Sequence, residues 1–278
     1  LDRLANYTFI FLLIFLFILE GRSDDHLRII IALFISFLIS ATAFFIHWVD
    51  LDGFFAATVF GAVVLGLGGW VLAVLVLVFF ITGSLISRDL IVISDEKRDE
   101  AFSTRFKVRR NGLQIWSNGF WLVVCGVLWF IFQVEVFLIM AVAAVASATA
   151  DTWATELGSR KQGKTVLITN FNAVEPGTDG GVSLRGILAG FWGALLIALG
   201  FMILQFGTSI EYVSIITISG FFGCIADSYL GAFYQYRLRD EDHWFNRSFT
   251  THEYANNAVN WGSTGIGAFV ALILMQLT

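Results

Sequence analysis

Apolar runs of about twenty residues recur along almost the whole chain, and nothing else constrains its fold as strongly. A stretch of that length matches the hydrocarbon thickness of a bilayer when it is coiled as a helix. Nine such runs are expected, at Leu4–Leu19, Leu27–Val49, Phe54–Leu67, Trp70–Ile86, Leu113–Phe132, Val134–Ala150, Ile187–Phe206, Val213–Tyr234 and Trp261–Leu277. The third is short and carries Gly61 and Gly66, with Gly68 and Gly69 just after, so it is expected to be tilted or re-entrant. Only 14% of the 278 residues are charged, against about 25% in soluble domains. One proline and 29 phenylalanines favour long uninterrupted helices. The runs are continuous instead of alternating, which disfavours a membrane β-barrel. The expected fold is all-α and polytopic, with two N-terminal transmembrane helices over 1–50 and the remaining membrane domain over 51–278.

Leu1 to Leu19 imitates a signal peptide but runs into Glu20-Gly21-Arg22 without a small-x-small cleavage site. It therefore reads as a retained first span. The chain begins without Met, and a short leader is expected ahead of it. Cys125 and Cys224 both lie in apolar segments, with no disulfide framework or zinc spacing around them. A net charge of −5 and the lack of a long basic block argue against nucleic acid as a partner.

Three hydrophilic segments remain, at 87–112, 151–186 and 235–260, each separated from the next by two spans. They hold most of the Lys and Arg, so the positive-inside rule places them in the cytoplasm. The opposite loops, expected to include Val49–Gly53 and Gly207–Tyr212, are short and carry neither residue. All the polar chemistry is then on the cytosolic face.

Within that frame one pattern occurs twice. Ala150-Asp151-Thr152 follows one apolar run, and Ala226-Asp227-Ser228 lies inside another. A carboxylate at membrane depth costs about 2.5–3.5 kcal/mol on insertion scales and marks a functional interior by default. Asp227 shares a helical stripe with Gly220, Gly223 and Gly231, and Asp151 with Ala144, Ser147, Thr155 and Gly158. Such small residues suit either close helix packing or a ligand. Glu156 is about 140° round the helix from Asp151 and joins it only if the helix ends or loosens near Gly158.

The connection from Gly158 to Thr165 matches Gly-x-x-x-x-Gly-Lys-Thr. A true P-loop needs a strand before it and a helix after, and here a membrane helix comes first. Lys161 and Lys164 still suit a polyphosphate, although an ordinary positive-inside loop explains them too. Further on, Thr178-Asp179-Gly180-Gly181-Val182-Ser183 makes an anion-receptive turn before a helix start, or a simple turn and cap. Asp179 there is placed to help hold magnesium, which favours one or two carboxylates plus phosphate oxygens. Two amide clusters complete the inventory, Asn111, Gln114 and Asn118, then Asn256, Asn257 and Asn260. They serve a ligand or interhelical hydrogen bonds equally well.

Ala150–Gly158, Thr178–Ser183, Gly220–Ala232, Gln114 with Asn118 and Asn256-Asn257 with Asn260 together resemble the integral-membrane family of transmembrane protein 19. That family includes plant and cyanobacterial phytyl-phosphate kinases. The likeness runs from about Gly53 to the C-terminus. More distantly the chain is similar to phytol and dolichol kinases and to CDP-diacylglycerol synthases. The resemblance implies a CTP-dependent kinase that converts an isoprenyl monophosphate to the diphosphate at the membrane surface. It implies Mg2+ ligands among Asp151, Glu156, Asp179 and Asp227. Phosphate or nucleoside contacts would come from Lys161, Lys164, Gly180, Gly181, Asn118, Asn257 and Asn260. Cytidylyl transfer to a lipid, cation- or proton-coupled transport, and a non-catalytic membrane scaffold are the competing expectations.

Overall fold

A computed structural model of the chain describes residues 2–19, 23–93, 109–159, 163–236 and 249–278. Among these are nine helices: α1 (Asp2–Leu19), α2 (Ser23–Phe45), α3 (Leu51–Val63), α4 (Trp70–Ile93), α5 (Gly112–Phe132), α6 (Glu135–Gly158), α7 (Leu184–Leu204), α8 (Ile210–Leu230) and α9 (Phe249–Leu277). π-helical turns extend α3 over Val64–Gly68 and α8 over Gly231–Tyr236. Eight segments among the described residues are long and apolar enough to cross a membrane. The chain is an all-α polytopic membrane protein, as its apolar runs require.

The third run is neither short nor broken. With its π turn it is helical for 18 residues, Leu51–Gly68, or about 27 Å at 1.5 Å per residue. Strands β1 (Thr165–Leu167) and β2 (Gly181–Ser183) pair antiparallel, with Val166 opposite Val182. This ribbon lies in the connection between α6 and α7.

Packing divides the chain into two compact units, Leu1–Leu138 and Ile139–Thr278. In the first unit α1, α2 and α5 all pack on α3. Phe9 stacks on Trp116 at 4.8 Å between ring centres, Phe60 meets the same indole edge-on, and the indole N–H donates to Asn6 Oδ1 at 2.7 Å. α2 ends in a left-handed His47, with the Trp48 N–H returning to the Ala43 carbonyl and the His47 N–H to Phe44.

One topological expectation is overturned here. Val49 bridges Arg110: the Arg110 N–H donates to the Trp48 carbonyl (3.0 Å), and the Asp50 N–H donates to the Arg110 carbonyl (3.1 Å). The turn at 49–53 therefore sits at the same end as residue 110, not opposite it. Helices α3 and α4 lie between them and return the chain to its starting side. Two spans, an even number, separate the turn from residues 87–112, so the span count itself puts both on one side, and the absence of Lys and Arg is no evidence for the other.

In the second unit α8 packs against both α7 and α9. Every residue from 139 to 150 in α6 is buried. Half of these residues are alanine, and side chains of that size let neighbouring backbones come close where lipid offers no hydrophobic drive for association.

Candidate functional site

The small-residue stripes of α6 and α8 face each other. Ala146 lies against Gly220, and Ser147 against Gly223. One turn further on, this register brings Asp151 and Asp227 together, with their carboxyl groups close enough to interact directly. Two carboxyl groups at that separation share a proton or a cation between them. The Ser263 hydroxyl on α9 donates to Asp227 Oδ2 at 2.8 Å.

The pair sits in a cavity of about 800 Å3, counting its open mouth. The end of α6, the start of α7, the end of α8 and the start of α9 surround it, with the 177–183 turn contributing Asp179, Gly180 and Gly181. Its lining is rich in hydroxyls, including Thr155, Thr165, Thr178, Ser183 and Ser228, with Asn256 from α9. Ile187 and Ile225 form its apolar part. Three carboxylates and, among the described residues, no Lys or Arg line this space.

Local chemistry explains how the turn arrives there. Glu175-Pro176-Gly177-Thr178 closes with the Thr178 N–H on the Glu175 carbonyl (3.1 Å) and Gly177 at φ +85°, the geometry of a type II turn. Ser183 caps α7 by accepting from the Gly186 N–H at 3.1 Å, and its hydroxyl donates to the Gly158 carbonyl. Gly180 has φ +73°, and a Cβ there would overlap Ala232 at the start of the π turn after Asp227. Gly180→Ala should therefore unseat Asp179, costing about 2–5 kcal/mol from the left-handed backbone and the clash together. Thermal unfolding in detergent reads this as a lower midpoint; an unchanged midpoint would mean that the turn does not rest on Ala232.

Of the residues singled out from sequence, Asp151, Asp179, Asp227, Gly180 and Gly181 converge on this cavity. The Gly181 N–H is already given to the Thr178 carbonyl at 2.8 Å, so the turn itself consumes that amide. Glu156 stands outside the lining, because α6 stays helical through Gly158 and carries it round to another face. No group of three or more His, Cys, Asp or Glu among the described residues is arranged to hold a metal by itself. Lys164 is exposed beside the lining residue Thr165, and Lys161 lies outside the described residues. The Gly158-to-Thr165 connection passes from helix to strand, the reverse of a P-loop.

The amide clusters divide by role. Asn111 and Gln114 form the capping box of α5, and Asn118 in the same unit donates to the Gln114 carbonyl at 2.9 Å. On α9 it is Asn256 that lines the cavity. Asn257 is buried away from it, and the Asn260 carbonyl accepts from Ser263 and Thr264. Ser263 is the site residue that sequence reasoning missed, and Asn256 stood in the amide cluster without a role assigned to it. The signal was present: Asn256, Asn260, Ser263 and Gly267 step by 4, 3 and 4, the stripe spacing already seen around both aspartates.

Fold and site thus define a polytopic membrane protein whose helix ends enclose a carboxylate-paired, hydroxyl-lined cavity. The model of the family described as integral membrane protein DUF92 matches residues 34–268, and the chain belongs to that family. An uncharacterized membrane protein of Methanocaldococcus jannaschii is 35% identical over 215 residues, covering 76% of this chain and 87% of the relative. An uncharacterized membrane protein of Synechocystis sp. is 29% identical over 227 residues, covering 79% and 80% of the two chains. Protein PGR of Arabidopsis thaliana is 28% identical over 242 residues, covering 77% and 82%. No solved structure matches the chain.

Proposed function

We propose that this protein is a CTP-dependent prenyl-phosphate kinase, adding a phosphoryl group to an isoprenyl monophosphate at the cytoplasmic membrane surface. The observation that carries this reading is the contact between Asp151 and Asp227 inside a cavity shared with Asp179. The residues fit Mg2+ in kind, since that ion takes one or two carboxylates and completes its shell with phosphate oxygens and water. Asp151 and Asp227 would hold it, with Asp179 on the facing turn. When bound, the ion supplies the positive charge that a polyphosphate otherwise lacks in a cavity lined by acids.

The chain's own residues do the positioning. Asn256 and the hydroxyls of Thr155, Thr178 and Ser228 offer hydrogen bonds to nucleotide and phosphate, and Lys161 and Lys164, which belong to the connection before Thr165, would add phosphate contacts. Ile187 and Ile225 give the lipid an apolar lip, beside the exposed Phe191 and Phe222. A phosphate oxygen of the isoprenyl monophosphate attacks the γ-phosphorus of CTP. The bond from that phosphorus to the β–γ bridging oxygen breaks, and its electron pair leaves on CDP. The nucleophile is already an anion, so no general base has to remove a proton.

Transport is the reading that an all-acid lining would otherwise favour. Alternating access needs a path to both faces. Below the carboxylates Ser147 is fully buried between Gly223 and Gly267, so the floor is close-packed.

The purified protein, warmed with a panel of nucleotides and Mg2+, should be stabilised selectively by CTP. At a hundredfold excess over Kd the gain is about 2.7 kcal/mol. No response to any nucleotide would sink the kinase reading. Labelled CTP then separates the chemistries: CDP marks a kinase, and pyrophosphate marks cytidylyl transfer.

A further inference from the structure

The structure assigns Ser263 as a positioning residue: its hydroxyl, delivered by α9, fixes the Asp227 carboxylate for cation binding. The inference rests on the proposed metal site and adds to it a residue from a third helix. Ser263 is 2% exposed, and its Oγ lies 2.8 Å from Asp227 Oδ2, the shorter of its two contacts. The other is the Asn260 carbonyl, at 3.1 Å. A helical serine ordinarily donates back to the carbonyl three or four residues earlier. This hydroxyl has one proton and both acceptors within reach, and a hydrogen bond to a carboxylate is about twice as strong as one to a neutral carbonyl. The proton therefore goes to Asp227.

The backbone of Ser263 is itself pinned. Its carbonyl accepts from the Ser147 hydroxyl at 3.3 Å, and Ser147 lies one turn before Asp151 on α6. Ser263 thus ties both carboxylate-bearing helices to α9 at the level of the pair. Gly267, one turn further along α9, also packs against Ser147, which leaves α9 little room to slide. Groups that orient a carboxylate ligand typically change metal affinity or activity by about 10–100-fold when removed.

Thr264 supplies the control. It is equally buried on the same helix, but its hydroxyl donates only to the Asn260 and Trp261 carbonyls. Thermal unfolding of the full chain in detergent, titrated with Mg2+ and with Mn2+ alone, gives the cation concentration for half-maximal stabilisation. Ser263→Ala should raise that midpoint about tenfold or more while leaving the cation-free melting temperature close to the parent's. Thr264→Val should leave the midpoint in place. With CTP and isoprenyl monophosphate added, the loss in Ser263→Ala should be recovered at high Mg2+.

Equal midpoints in Ser263→Ala and the parent would overturn the assignment while leaving the metal site standing. A parent protein that responds to neither cation would overturn the metal site, and this assignment with it. Equal shifts in Ser263→Ala and Thr264→Val would also overturn it, because general loosening of α9 would then be the cause.

Discussion

Asp227→Asn and Asp151→Asn should each lower CTP-dependent product formation by at least about a thousandfold while leaving the protein folded. The amide keeps the volume and one acceptor oxygen of the carboxyl group but removes its charge. In a metal-assisted transfer that charge is worth several kcal/mol, and each 1.36 kcal/mol is tenfold in rate. The same substitutions should leave cation-free stability unchanged or raise it. Two acids touching at membrane depth cost folding energy, and each carries an insertion cost of about 2.5–3.5 kcal/mol. Activity and stability are therefore expected to move in opposite senses. Radiolabelled product assays and melting curves on the same preparations test both halves. Turnover retained in both variants would remove the paired-carboxylate site. A matching fall in melting temperature would instead identify the pair as structural glue.

Helix identity was legible because membrane spans advertise themselves twice, through length and through the near absence of charge. The pairing of the two Ala-Asp motifs was legible for a related reason: a buried acid is costly enough that two in similar settings imply a shared purpose. Less local features were hidden. The pairing of Val49 with Arg110 is one: two spans between them put both on one side, but a five-residue turn with Asp50 and Asp52 and no Lys or Arg gives no sign that it meets residue 110. The β1–β2 ribbon has three residues per strand and sits in a segment dominated by turn formers. Too few residues alternate there to show a period of two.

The candidate residues that lie off the cavity lining do so for one physical reason. Glu156 was attractive by residue type, yet one regular helix cannot present residues five apart on the same face. Asn257 and Asn260 were chosen over Asn256 because residue type alone does not say which amide faces inward. Extending to α9 the stripe spacing used for α6 and α8 would have added Asn256 and Ser263 beside Asn260 and left out Asn257. Periodicity was the better guide, since the helix fixes direction before chemistry is considered.

Gly223→Val should be the most damaging single substitution in the second unit outside the carboxylates. A Cβ at Gly223 would overlap the Ser147 hydroxyl and come within 2.7 Å of Ser147 Cβ and 2.9 Å of the Ser263 carbonyl oxygen. One of those neighbours is backbone, so α6, α8 or α9 must move. Valine also gains less helix propensity over glycine than alanine does, a few tenths of a kcal/mol against roughly one. Overpacking costs about 1–3 kcal/mol for a side chain that can be partly accommodated. Even Gly223→Ala should therefore be net destabilising, and the branched methyls of valine should take the loss beyond that range. Gly262→Ala is the matched control on α9. Its nearest neighbour is the far end of Leu230, at 3.3 Å, which can swing aside. Yield of monodisperse protein and melting temperature should fall sharply for Gly223→Val and stay near the parent for Gly262→Ala. The crossing that sets Asp151 against Asp227 is the same one that closes the cavity floor, so loosening it should cost cation binding along with stability. A stable Gly223→Val protein with normal cation response would show that the carboxylate pair does not depend on this crossing.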